Sequence, residues 1–214
     1  MANTGDPDDG DGPGEVAGAG VIRTGPERMV GLSDGVIAVI ITIMVLELAV
    51  PHGAELGDLK PLVPKLLAYL LSFVFVGIYW NNHHHLIRAT ERIDGGVMWA
   101  NLHLLFWLSL IPFATAWLGE HFGSIWPTFT YGIICVMNAI AYGILVRTIT
   151  HANPGRPVSV SIGNDTKGNV SVVIYVVACV VAFFAPYVSV ALWICVSIIW
   201  LVPDRRLSGA QRSR

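Results

Sequence analysis

Three groups of side chains in this sequence could do chemistry. The first is Arg28, Ser33 and Asp34, which lead without a break into the apolar run GVIAVIITIMVLELAV. The second is Asn81-Asn82-His83-His84-His85, and the third is Asn101 with His103. By residue type they offer a nucleophile beside an acid, a histidine metal site, or a polar network. The nucleophile fails on geometry, because adjacent helical residues point about 100° apart. A Gly-x-Ser-x-Gly elbow is also missing. The metal site fails for the same reason. Helical ligand pairs need i, i+3 or i, i+4 spacing, and no acid or cysteine stands at a matching position. A shared polar network is what remains. Ionisable groups at membrane depth are costly and mark functional or structural sites.

The elements that must position these groups are membrane helices. The 214 residues are 54% hydrophobic and 13% charged, about half the charged share of a soluble domain. Apolar blocks at 28–50, 61–85, 95–118, 125–149, 169–185 and 188–203 predict six spans in an all-α polytopic membrane protein. The last two blocks are short and meet at Ala185-Pro186-Tyr187. Two spans and a re-entrant pair both fit them, since each returns the chain to its starting side.

Arg23, Arg28, Arg88, Arg92, Arg147, Arg156, Lys167, Arg205, Arg206, Arg212 and Arg214 all fall on one side of this topology, and only Lys60 and Lys65 on the other. That bias predicts cytoplasmic termini. The organisation expected is a disordered acidic tail over 1–23, a transmembrane domain over 24–203 and a short basic tail over 204–214. The first tail is rich in Gly, Asp and Pro, and lacks the basic and apolar regions of a signal peptide. The second reads as a topology determinant rather than a specific lipid site. Cys135, Cys179 and Cys195 lie inside predicted spans without C-x-x-C spacing and read as small buried residues.

Where the first helix begins decides what Ser33 and Asp34 mean. As an N-cap they would leave about 17 residues before Pro51, barely a span. Thr24-Gly25-Pro26-Glu27 has capping-box spacing upstream, with Pro26 tolerated in the first turn. A helix from there to Val50 runs about 39 Å and encloses both residues. Arg28 and Asp34 are then about 600° apart along the helix and cannot pair. Each needs a partner on another helix, and the candidates at that depth are Asn81, Asn82, His83, His84, His85, Asn101 and His103. Pro112 removes a backbone hydrogen bond inside the third span and predicts a kink.

Beyond the charges, Gly35, Val39, Thr42, Ile43 and Leu46 share one stripe of the first helix. The stripe suits a pore lining or a packing face equally. Every face of this helix is apolar, and Thr42 can bond its own helix carbonyls. Glu47, near the outer end, could draw cations to an entrance or simply meet water. The classes left open are a channel, a proton-linked transporter using Asp34 and Glu47, and an intramembrane enzyme for which no substrate is suggested.

From Arg28 to Asp34 the chain resembles the Arg-x-x-x-Phe-Ser-Asp signature of the transmembrane protein 175 family, the lysosomal-type potassium channels, with Leu32 in place of the phenylalanine. The resemblance continues through Gly35-Val36 and Thr42 to Leu46-Glu47, through Trp80 to His85, and from Asn101 to Leu110-Ile111-Pro112-Phe113. It implies six helices per subunit, and a homotetramer in a bacterial-type inner membrane whose central pore is lined by the first helix. It also implies passive, potassium-preferring conduction without the Thr-Val-Gly-Tyr-Gly filter, which this sequence lacks.

By position, Val39, Ile43 and Leu46 would form apolar constrictions, with Thr42 offering a hydroxyl ring between them. Val39 is smaller than the isoleucine or leucine usual there, which implies a looser constriction. Arg28, Ser33, Asp34, His83, His84 and Asn101 would form the polar network fixing the first three helices. The partners implied are lipid, further copies of the chain and permeant potassium, with no nucleic acid, cofactor, resident metal or catalysis. A proton-linked transporter or proton-permeable leak is the alternative.

Overall fold

A computed structural model describes residues 26–88, 90–154 and 166–201. The predicted 1–23 and 204–214 tails and the Thr24 cap lie outside these residues. All regular structure among the described residues is helical. Helix α1 is Pro26–Leu46, α2 Val63–Arg88, α3 Gly95–Ser109, α4 Ile111–Glu120, α5 Ile125–Ala152, α6 Thr166–Val181 and α7 Pro186–Leu201, with a short 3₁₀ helix at Leu56–Leu62 before α2.

Helix α1 starts in the Pro26-Glu27 turn, so Ser33 and Asp34 lie inside it, as the span-length argument requires. Its other end falls short of the expected Val50. The helix stops at Leu46, and Leu48 N–H turns back to the Val45 carbonyl at 3.2 Å. Pro51 keeps Val50 out of the helix, because proline disfavours helical geometry in the residue before it. What remains is 21 residues, still a span of about 31 Å.

The third span is divided at Leu110 into α3 and α4. Pro112 has no N–H to give the Leu108 carbonyl, and the ladder opens there. A side chain on α5 helps close the gap: Asn138 Nδ2 donates to the Trp107 carbonyl at 3.2 Å and to its own Ile134 carbonyl at 2.9 Å.

The α3–α4 unit, α1, α2 (with the 3₁₀ segment) and α5 are each long and apolar enough to cross a membrane. The two remaining helices are shorter, at 16 residues each, or about 24 Å. They form an antiparallel pair joined through Phe183–Ala185. Helix α1 packs against α2, α3 and α4, whereas α5 packs against α3, α4, α6 and α7.

Arg28, Arg88, Arg92 and Arg147 mark one end of the bundle. There Asn153 ties the 90–94 loop down, accepting from Arg92 N–H at 2.9 Å and donating to the Arg92 carbonyl at 3.0 Å. Asp94 then caps α3 by accepting from Val97 N–H at 2.9 Å. At the opposite end Lys65 of α2 pairs with Glu120 of α4 at 3.0 Å. The α4–α5 turn there needs Gly123, which sits at φ 86° with its face against the Tyr187 hydroxyl. A Cβ at that position would lie 2.5 Å from the Tyr187 oxygen. Gly123→Ala is therefore expected to lower thermal stability in detergent by at least the ~1–2 kcal/mol of a left-handed non-glycine residue. An unchanged melting temperature would show that the turn relaxes.

Candidate functional site

Helix α1 has two distinct faces. Met29, Ser33, Ile37, Ile40 and Met44 recur every three or four residues and are buried against the other helices. Val39, Thr42, Ile43 and Leu46 lie on the other side. Val39 is 54% exposed, Ile43 41% and Leu46 79%, and the Thr42 side chain is exposed as well. Gly35 shares this side, and Glu47 is exposed in the turn that follows. Which face a uniformly apolar helix buries is thus decided by its polar residues, and Ser33 is the one that turns inward.

Ser33 is held by a directional chain of hydrogen bonds. His83 Nε2 on α2 lies 2.7 Å from Asn101 Oδ1 on α3. Asn101 Nδ2 donates to Ser33 Oγ at 3.0 Å, and Ser33 Oγ donates to the Met29 carbonyl at 2.8 Å. Because a carboxamide oxygen only accepts, the His83 nitrogen facing it must carry the proton. All three side chains are essentially fully buried. Asn101 spends both ends of its carboxamide on bridging, so one residue joins α1, α2 and α3.

Asp34 has a different partner. Its Oδ1 accepts from Trp80 Nε1 of α2 at 2.9 Å, and the Trp80 ring stacks on His84 with centroids 5.6 Å apart. Asp34 and His84 are therefore linked through the indole, while Ser33, His83 and Asn101 form a separate unit. Trp80 was not among the partners weighed for Asp34. A signal for it does exist: an indole N–H only donates, and at membrane depth it needs an acceptor.

Arg28 joins neither unit. It is exposed, with no hydrogen-bond or ion-pair partner among the described residues. The three histidines diverge, since His83 points to Asn101, His84 stacks on Trp80 and His85 is exposed. Asn81 is exposed, and Asn82 turns towards α5 and α6. His103 accepts from Trp107 Nε1, one turn along its own helix, at 3.0 Å.

Thr42 donates its hydroxyl to the carbonyls of Ala38 and Val39, at 3.1 and 2.9 Å. That leaves the oxygen lone pairs facing outward, as an acceptor suited to a cation.

A second buried polar cluster went unnoticed in the sequence. Tyr131 of α5, Ser72 of α2 and Thr115 of α4 form a hydroxyl chain, with Ser72 Oγ 2.9 Å from Tyr131 Oη and 2.7 Å from Thr115 Oγ1. Thr115 also touches the Met44 sulfur on the buried face of α1, at 3.9 Å. Single hydroxyls in long apolar helices carry no spacing signal, so only the packing reveals this chain.

Comparison with known proteins gives this arrangement a context. Residues 28–112, which hold α1, the His83–Asn101–Ser33 chain and the Pro112 break, match the family model described as endosomal/lysosomal potassium channel TMEM175. A potassium channel of Chryseobacterium sp. (strain P1-3) is 47% identical over 182 residues, covering 84% of this chain and 94% of the relative. The endosomal/lysosomal proton channel TMEM175 of Danio rerio is 31% identical over 91 residues, which is 40% of this chain but only 18% of that protein. Among solved structures, a lysosomal potassium-selective channel TMEM175 homolog from Chamaesiphon minutus superposes with a TM-score of 0.72 at 27% identity, covering 83% of this chain and 96% of that one. The shared region includes the helix that carries the exposed stripe and the side chains that orient it, and the match to a bacterial relative runs nearly end to end. This chain is a multi-pass membrane protein that belongs to the TMEM175 family of ion channels.

Proposed function

We propose that the chain forms a passive, potassium-preferring cation channel in a bacterial inner membrane. It assembles as a homotetramer, with the 1–23 and 204–214 tails and both termini on the cytoplasmic side. The observation that carries this reading is the stripe Val39, Thr42, Ile43 and Leu46, which faces away from the subunit's own core. One such helix encloses nothing. Four copies around an axis would bring four of each residue together. The bacterial relatives named as potassium channels, and the structural neighbour described as potassium-selective, support the choice of ion.

In this assembly the Val39, Ile43 and Leu46 side chains are constrictions. A narrow apolar ring stops ions by excluding water, and conduction requires it to widen and hydrate. Between those rings, four Thr42 oxygens with their lone pairs outward replace part of an ion's hydration shell. Ser33, Asp34, His83, His84 and Asn101 serve structure rather than conduction. The Asn101 bridge sets the rotation of α1, and Trp80 ties Asp34 to α2. A second reading, proton permeability through the same path, is favoured by the vertebrate relatives, which are named proton channels.

In reconstituted vesicles with a potassium gradient, passive potassium flux without coupled proton movement is expected, with unitary currents in a planar bilayer. Saturable flux locked to a pH gradient, without unitary currents, would sink the channel reading. Proton current that persists in potassium-free solution would establish the second reading. Thr42→Ala should change the potassium-to-sodium permeability ratio in an oligomer of unaltered mass, and an unchanged ratio removes Thr42 from selectivity. Asn101→Leu leaves His83 buried without a partner, at about 1–3 kcal/mol, and Ser33 with only its bond to the Met29 carbonyl. It should lower the detergent melting temperature by several degrees and reduce assembly. A stable Asn101→Leu protein with altered ion selectivity would contradict the anchoring role.

A further inference from the structure

A cavity of about 700 Å³ lies between α2, α5, α6 and α7, towards the arginine-bearing end and away from α1. Its walls are mixed. Phe75, Ile140, Ile144 and Val173 supply apolar lining, and Tyr79, Asn82 and Arg147 supply polar groups. Ile140, Ile144 and Val173 are also exposed on the outer surface, so the cavity opens towards the surroundings of the helices. Its volume is in the range of sites that hold a drug-sized ligand.

The polar groups are what distinguish it. Elsewhere on the wall, Trp200 Nε1 donates to Ser171 Oγ at 2.7 Å, and Ser197 Oγ to the Trp193 carbonyl at 3.0 Å. The Tyr79 hydroxyl, the Asn82 carboxamide and the Arg147 guanidinium have no hydrogen-bond or ion-pair partner among the described residues. Rings on either side fix where the phenol points: Tyr79 lies 4.8 Å from Phe75 and 5.8 Å, edge-on, from Tyr142. No acid is among the described residues that line the cavity, so none of them compensates the charge of Arg147. Asn82 lies six residues from the end of α2 and Arg147 five from the end of α5, about 8–9 Å of helix rise. That is headgroup depth, within reach of an arginine that extends towards the interface.

Three unpaired donor groups, one of them cationic, above an apolar chamber at this depth match one kind of ligand. We propose that an anionic phospholipid of the adjoining leaflet places its headgroup phosphate against Arg147, with Asn82 and Tyr79 donating to its oxygens. One acyl chain enters the chamber between Phe75 and Val173. Guanidinium groups suit phosphate because two parallel N–H donors meet two oxygens, and basic pockets between membrane helices are known to hold acidic headgroups. A free phosphate would use the donors but leave the apolar chamber unfilled.

The test uses the full-length protein, stripped of lipid in mild detergent. It is titrated separately with dioleoylphosphatidylglycerol, dioleoylphosphatidylcholine and inorganic phosphate, with binding read by native mass spectrometry. Saturable binding of phosphatidylglycerol is expected, about tenfold or more tighter than that of phosphatidylcholine, with no binding of phosphate. Arg147→Gln should weaken phosphatidylglycerol binding about tenfold, whereas Arg88→Gln, outside the cavity, should leave it unchanged. Gly143→Leu is the second probe. Gly143 lines the cavity and an added Cβ there meets nothing within 4 Å, so leucine fits the helix yet obstructs the acyl chain.

Unchanged lipid binding in both Arg147→Gln and Gly143→Leu would overturn the proposal. So would equal binding of phosphatidylcholine, or phosphate binding that Arg147→Gln abolishes, which would make this a soluble-anion site. None of these readouts involves ion flux, so the result is independent of the conduction pathway.

Discussion

Inside a bilayer a helix that is apolar on every side has no hydrophobic reason to prefer one rotation over another, because lipid tails and neighbouring leucines are equally good surroundings. Hydrogen bonds make the choice. Water is absent at that depth, so each buried donor or acceptor must find a protein partner. Helix α1 presents one small hydroxyl, Ser33, that can be fully enclosed, and Asn101 stands ready to enclose it while engaging His83 with its other end. Turning α1 by a single residue would move Ser33 about 100° and take from the buried Asn101 Nδ2 its acceptor. The identity of the face left over, running from Val39 to Leu46, is a by-product of that requirement. The residues that decide the rotation and the residues it exposes are therefore different sets.

Behind this anchor a second hydrogen-bond chain joins the helices. The hydroxyl chain of Tyr131, Ser72 and Thr115 crosses from α5 through α2 to α4 and ends against Met44, beneath the exposed stripe. Thr115 belongs to α4, the short helix that begins after the break at Leu110. The third span is therefore divided between two tasks. Its first half carries Asn101 and holds the start of α1, and its second half carries Thr115 and supports the region around Met44. Pro112 separates the two, and Asn138 from α5 braces the break by donating to the neighbouring Trp107 carbonyl.

Much of the architecture was legible in the pattern of apolar blocks and in a few punctuating residues. Pro112 announced the divided third span, and the length needed to cross a bilayer moved the start of α1 upstream of Ser33. The end of α1 was misplaced by four residues, because hydropathy continues through Glu47-Leu48-Ala49-Val50 while the backbone has already turned. Ser33, His83 and Asn101 were readable as a group because polar residues at one depth have few choices of partner. Trp80 as the donor to Asp34 was not, since a tryptophan near an interface is usually explained by the interface itself. Arg28 is expected to find a partner on another helix, and among the described residues it has none. The two faces of α1 could not be told apart from its own composition, as the information lies in its neighbours.

The last helical pair adds a property of a different kind. Over their described residues, helices α6 and α7 offer about 24 Å of length where α2 and α5 offer about 39 and 42 Å. They also stand on the side of the subunit away from α1, packing against α5 and each other. A typical bilayer has a hydrocarbon thickness of about 30 Å, so lipid beside this pair must compress, or the protein must tilt, at a fraction of a kcal/mol per ångström. Over the described residues, this pair is thus shorter than the bundle it packs against. Such a pair favours shorter-chained or more deformable lipid at its own border, and it tends to draw neighbouring short pairs together. The membrane around this protein would then be locally sorted by the shape of helices that stand away from α1.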